Sequence, residues 1–243
     1  ERVENGEAAG VPIRNYFPVD LPASARAGYE RTGDMLTYFS SVFGPYPFDA
    51  YGVVVHDEAL GFALETQTLS IFGRGRPREN TVAHELAHQW FGNSVSPAAW
   101  QHIWLNEGFA TYAATLWEEH TFGPEYAQQA MLERYRALAA DRSRASGSLE
   151  PFVIGDPTPG MLFDGRVYVR GAMTLHALRA RVGDETFFAI LSDYYARHAG
   201  GVAATEDFVA VAQEVSDEDL EAFFDAWLFE ADMPPIPEYG WEP

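Results

Sequence analysis

The sequence contains no cysteine, which removes disulfides, thiolate metal ligands and cysteine nucleophiles together. Any metal must therefore be held by His and carboxylates. Lysine is absent as well: the 16 basic side chains are all Arg, set against 36 Asp and Glu. The net charge of −20 argues against a nucleic-acid partner, which needs clustered basic residues facing phosphate, and describes a well-solvated acidic surface. No apolar run approaches the ~18 residues that a membrane span requires. The opening residues, ERVENGEAAGVP, lack the basic-then-apolar pattern of a signal peptide. Starting at Glu1, the chain reads as cut from something longer, and its lack of cysteine and acidic surface lean towards export from a bacterial cell.

What is present is ample apolar material: 47% hydrophobic and 14% aromatic residues over 243 positions, enough for one large domain or one domain with two lobes. Residues 1–22 carry Pro12, Pro18 and Pro22 with little periodicity and are expected to be a linker leaving a missing upstream domain. Helical spacing of apolar residues predicts a helix over 23–43, ended by GPYPFD at 44–49. YGVVVHD (51–57) and GFALETQTLSIF (61–72) read as neighbouring strands, and 73–80 as a loop. Helices are predicted over 81–91, 101–119, 124–140, 167–182, 184–198, 205–214 and 218–229, with a Gly-, Pro- and Asp-rich break at 155–165. The expected fold class is α+β: a small mixed-sheet lobe over about 23–80, then a mainly helical lobe over about 81–243.

The chemistry concentrates at HELAH, 84–88. Positions i and i+4 share a helix face, so His84 and His88 can present two ring nitrogens to one tetrahedral ion, with Glu85 placed to contact a bound water. Such a motif alone also describes a surface helix with two solvated histidines. Eighteen residues separate His88 from Glu107, which lies in WLNEGFATY. That gap holds the end of one helix, a turn around 92–97 and the start of an antiparallel helix whose Glu faces back. Two His and one Glu with a fourth position open is the pattern of a catalytic zinc site. The remaining histidines (56, 102, 120, 176 and 198) have no partner at ligand spacing.

HELAHQWFGN, the 18-residue gap, WLNEGFATY, VYVRGAMTLHALR at 167–179 and the DLEAFFDAWLFEADMPPIP tail together resemble the alanyl aminopeptidase family of gluzincins, which includes leukotriene hydrolase. The resemblance covers nearly the whole chain and implies a thermolysin-like catalytic domain over 23–243 with one Zn2+ on His84, His88 and Glu107. By position it gives Glu85 as general base and Tyr168 as the hydroxyl that stabilises the oxyanion. GFALETQT aligns with the family's Gly-Ala-Met-Glu-Asn strand, placing Ala63 and Glu65 in substrate binding, with Glu65 on the peptide's free amine. This chain departs from that strand at Phe62 and Thr66. Arg170 stands where the family often has Lys and is expected to support the site; Asn106 and Gln89 are expected to hold ligands in place.

The implied activity is removal of N-terminal residues from peptides with a free N-terminus. Internal peptide cleavage, epoxide hydrolysis and a catalytically weak peptide-binding role are the alternatives. The family's upstream β-sandwich domain, which adds a polar residue to the amine site, and its large helical C-terminal domain have no counterpart in this sequence.

Overall fold

The computed structural model describes residues 2–145 and 152–243. In chain order the elements are β1 (Arg2–Ala8), β2 (Val11–Phe17), α1 (Ala23–Arg26), α2 (Thr32–Phe43), β3 (Val53–Val55), β4 (Ser70–Phe72), α3 (Glu79–Ala87) and β5 (Val95–Pro97). There follow α4 (Trp104–Phe122), α5 (Pro124–Ala145), α6 (Gly165–Val182), α7 (Asp184–His198), β6 (Gly201–Ala203), α8 (Thr205–Ser216) and α9 (Glu221–Phe224). A mixed four-stranded sheet in the order β1-β2-β3-β4 precedes the helical body, and β5 pairs with β6 in a second, small parallel sheet. This is the α+β plan expected from the sequence.

Residues 1–22 are not a linker over their described length. Arg2 pairs with Phe17 and Ala8 with Val11 in an antiparallel hairpin, and β2 runs parallel to β3 with Tyr16 opposite Val54. Val11, Ile13 and Phe17 are buried, a period-two pattern interrupted in the sequence by Pro12. The sheet-bearing lobe therefore begins upstream of residue 23.

Two other segments break where continuity was expected. Within 23–43, a 3₁₀ turn over Ala27–Tyr29 separates α1 from α2, and the Thr32 hydroxyl at the start of α2 donates to the Tyr29 carbonyl at 2.7 Å. The stretch 61–72 is not one strand but reverses on itself. Thr68 adopts a left-handed φ of 66°, the Leu69 amide bonds the Thr66 carbonyl at 3.0 Å, and Leu64 and Ile71 exchange backbone hydrogen bonds at 2.9 and 2.8 Å. Only Ser70–Phe72 joins the sheet, parallel to β3.

Helix α4 is buried along most of its length, from Trp104 to Trp117, as befits a helix surrounded by protein. Its closest neighbour is α6, and the two meet at a pair of glycines. A Cβ on Gly171 would lie 2.8 Å from Gly108 Cα, and one on Gly108 would lie 2.8 Å from Gly171 Cα. Helices packed through side chains stay about 8–10 Å apart; here two backbones touch. Glu107 immediately precedes one glycine, and Tyr168 lies one turn before the other.

Arg170 locks the far side of α6. Its guanidinium is buried and donates to the carbonyls of Ala226, Trp227, Glu230, Ala231 and Asp232 at 2.7–3.0 Å. These carbonyls lie in and after a π-helical turn, Asp225–Phe229, that follows α9. The helix expected over 218–229 forms from Glu221 onward, α-helical to Phe224 and π-helical over Asp225–Phe229.

Alanine normally stabilises a helix by about 1 kcal/mol over glycine. At Gly171 or Gly108 the opposite sign is expected: Gly171→Ala should cost about 1–3 kcal/mol through overpacking, read as a lower urea midpoint. An unchanged or raised midpoint would show that the helices do not meet there.

Candidate metal centre and active-site cleft

Helix α3 carries His84 and Glu85, and His88 closes its C-terminal end; Glu107 comes from the first turn of α4. The spacing argument brings three donor atoms together. His84 Nε2 and His88 Nε2 lie 3.0 Å apart, and Glu107 Oε2 lies 3.2 Å from the first and 3.3 Å from the second. A tetrahedral zinc ion with bonds of about 2.0–2.1 Å places its donors about 3.3–3.4 Å apart. The triangle fits that ion with an adjustment of a few tenths of an ångström.

The donors' other contacts agree. His88 Nδ1 lies 3.1 Å from the Phe91 carbonyl, a contact it makes as an N–H donor, which leaves the Nε2 lone pair for a metal. His84 Nδ1 faces the Thr111 hydroxyl at 3.4 Å. Burial alone raises a carboxyl, but the hydrogen bonds from His84 and His88 outweigh it and hold Glu107 down to about 2. Burial lowers His88, yet Glu107 prevails and lifts the ring to about 9. The pocket thus attracts positive charge strongly. A divalent ion supplies it with both rings neutral.

Glu85 is buried with Oε2 lacking a partner among the described residues. Burial, with Glu65 and Glu107 adding and His88 opposing, pushes it up to about 7, a range suited to taking up and returning a proton. The Tyr168 ring stacks on His84 at 6.1 Å, and Tyr168 lines the cleft with Glu107. Burial and the nearby carboxylates raise the phenol well above its ordinary range, so it is a neutral O–H donor.

Glu65 is brought to the same place. One of its oxygens, one of Glu85 and a ring nitrogen of His88 all lie within 4.8 Å of one another. Its backbone is pinned from α3's end: Asn93 Nδ2 donates to the Glu65 carbonyl at 2.6 Å, and Gln89 Nε2 lies 3.4 Å from the Glu65 and Thr66 carbonyls. Gln89 Oε1 also accepts from the Thr68 amide at 2.8 Å. Gln89 therefore holds the 65–68 turn and not the metal ligands.

Neither Asn106 nor Arg170 makes a side-chain hydrogen bond to His84, His88 or Glu107 among the described residues. Asn106 is buried with Oδ1 unpartnered among the described residues. Its Nδ2 crowds Gly92, where a Cβ would come within 3.2 Å of both this atom and His88 Nδ1. Arg170 points to the C-terminal turn described above.

The three metal donors, Glu65, Glu85 and Tyr168 line a cleft of about 920 Å³. Ala63 sits in its wall between Phe62 and Leu64, and Trp100 and Phe163 line the same cleft. These four large side chains are unusually exposed, Phe62 at 64% and Trp100 at 63%, and Trp100 meets Phe163 edge to face at 6.1 Å. Thr111, Asn93, Trp100 and Phe163 were not singled out from the sequence. Thr111 had a signal, since it lies one turn after Glu107 on α4.

Elemental analysis after dialysis checks the triad. Glu107→Gln should lose at least about 100-fold in zinc affinity, and Thr111→Val, which removes only an outer contact, about tenfold. Full zinc retention in Glu107→Gln would refute the assignment.

The model of the peptidase family M1 domain matches residues 28–227. Aminopeptidase M1-D of Oryza sativa subsp. japonica is 37% identical over 251 residues, covering 96% of this chain and 29% of that protein. Aminopeptidase N of Streptomyces lividans is 36% identical over 155 residues, 62% of this chain and 18% of its own. The crystal structure of the M1 zinc metallopeptidase from Deinococcus radiodurans superposes with a TM-score of 0.80 at 33% identity, over 97% of this chain and 53% of that one. A mutant of it bound to a Tyr-Ser-Ala substrate gives 0.79, also at 33% identity. The chain spans less than a third of the curated relatives it matches. Among the described residues no helix is long and apolar enough to cross a membrane. From a family match over most of its length and a shared fold, the chain belongs to peptidase family M1.

Proposed function

We propose that this chain is the catalytic domain of a zinc-dependent aminopeptidase, releasing single residues from peptides with a free N-terminus. The observation that carries the reading is the position of Glu65. In an amino acid the amine nitrogen and the carbonyl carbon are separated by one Cα, about 2.5 Å. A carboxylate that grips the amine must then lie within a few ångströms of the groups that attack the carbonyl. Glu65 meets this condition, with an oxygen within 4.8 Å of its counterparts on Glu85 and His88. The same carboxylate stands where an internal substrate would have to continue its chain.

Zinc, held by His84, His88 and Glu107, supplies Lewis acidity and lowers the pKa of water in its coordination sphere. Glu85 accepts a proton from the attacking water as the new C–O bond forms. It returns that proton to the departing nitrogen as the C–N bond breaks. The Tyr168 hydroxyl donates to the carbonyl oxygen, and this bond strengthens as negative charge develops. Glu65 pairs with the ammonium and fixes the register of the cut. Side chains of the bound peptide meet Phe62, Leu64, Trp100 and Phe163. The upstream β-sandwich domain expected from the resemblance would complete the amine site from outside this chain, and the family's relatives, several times longer than this segment, support that arrangement.

Two measurements test the proposal. Glu85→Gln should keep its zinc and lose about 10²–10⁴ in kcat. Acetylating a peptide's amino group should cost about 2–5 kcal/mol in kcat/KM, because Glu65 is then buried against no cation. Equal cleavage of free and acetylated peptides would sink the exopeptidase reading while leaving the metal centre intact.

A further inference from the structure

Glu65, Glu85 and His88 constitute a second group of possible ligand atoms beside the zinc triad, mutually within 4.8 Å. The basic member of this group, His88, also belongs to the zinc triad. The cleft lining contains no Arg among the described residues, and the chain has no Lys. Glu85 is only 6% exposed, lines the cleft, and leaves Oε2 without a partner among the described residues. Two adjacent carboxylates in a partly desolvated cleft repel each other unless a proton or a cation lies between them. Glu65 is also held in place before any ligand arrives, because Asn93 and Gln89 pin its backbone carbonyl. A preset pair of hard oxygen donors is the chemistry of a divalent-cation site.

His88 cannot serve both groups fully. Its Nδ1 is committed to the Phe91 carbonyl, so its single Nε2 lone pair goes to the triad with His84 and Glu107. With the triad loaded, the second group offers two carboxylates and solvent, a weaker set. Paired metal sites about 3.5–4 Å apart are physically workable when oxygen ligands lie between the ions.

We propose that Glu65 and Glu85 form a second, weaker divalent-cation site next to the zinc triad, and that a cation there excludes the peptide's amino group. The second part rests on the reading of Glu65 as the amine anchor. Ammonium and metal ion claim the same carboxylates, so excess zinc acts as an inhibitor competitive with the peptide amine. The acidic surface, with a net charge of −20, raises the local cation concentration and favours occupation.

Equilibrium dialysis against rising Zn2+, with elemental analysis of the protein, reads the site without relying on turnover. The chain should take up a tight first equivalent and a weaker second. In Glu65→Gln the second should weaken by at least about tenfold, since a charged ligand is lost, while the first remains. Retention of the first equivalent also reports that the variant is folded. Leucinamide should displace the second equivalent, and N-acetyl-leucinamide should not. A single equivalent at all zinc concentrations, or a second one unchanged by Glu65→Gln, overturns the site. If Glu65→Gln removes the second equivalent but leucinamide does not displace it, the site stands and the amine-anchor reading fails. If only one equivalent binds yet peptide acetylation abolishes cleavage, the anchor stands and the second site falls.

Discussion

The contact between Gly108 and Gly171 is the constraint on which the rest of this molecule depends. With each glycine's absent Cβ leaving room for the other's Cα at 2.8 Å, α4 and α6 meet backbone to backbone. Their approach is set by main-chain atoms and not by side chains that can change rotamer. Glu107 and Tyr168 each lie within a turn of the contact, so the ligand carboxylate and the phenol inherit its precision. A misplacement of about 1 Å at a catalytic group can cost about 100-fold in rate. A rigid crossing here is worth more than the side-chain packing it forgoes. Arg170, bonded to five carbonyls of the C-terminal turn, holds the opposite side of α6 in place.

The second organising fact is electrostatic. His84, His88, Glu85 and Glu107 sit in a largely desolvated pocket, and burying such groups is costly unless they are paired. Without an ion the structure balances them through a carboxylate that attracts a proton onto a neighbouring ring. With an ion the same donors are satisfied by coordination. Metal binding is therefore coupled to the stability of the α3–α4 pair, and Glu85, which has no partner for Oε2 among the described residues, is left free for chemistry.

How much of this was legible depended on the range over which each signal acts. The two histidines share a face because of local helix geometry, so HELAH announces them directly. Glu107 required one further step, a gap long enough for a helix reversal. Arg170 serves the C-terminal turn for a reason visible in the sequence: it lies two positions from Tyr168, and residues at i and i+2 do not share a helix face. Asn106 neighbours Glu107 on α4 and lines the same cleft, with Oδ1 unpartnered among the described residues. The hairpin over residues 2–17 was hidden because its first strand, RVENGEA, has few apolar residues and Pro12 stands inside the second. The closeness of Gly108 and Gly171 could not be read at all, since 63 positions separate them and only the tertiary fold brings them together. Gln89 adjoins the ligand His88, yet its amide serves the 65–68 turn, a partner that exists only once the chain has reversed at Thr68.

That last grip has a consequence of its own. Gln89 and Asn93 follow the metal helix directly, and both hold the turn that carries Glu65. The amine anchor and the metal ligands are thereby parts of one ruler, graduated at a single residue. Substitutions elsewhere in the cleft can alter which side chain is welcome without changing how many residues are measured off. Phe62, Leu64, Trp100 and Phe163 stand outside the ruler, on the walls. Diversification of substrate preference among descendants of this sequence should therefore accumulate on those walls, while the gauge between anchor and metal stays fixed.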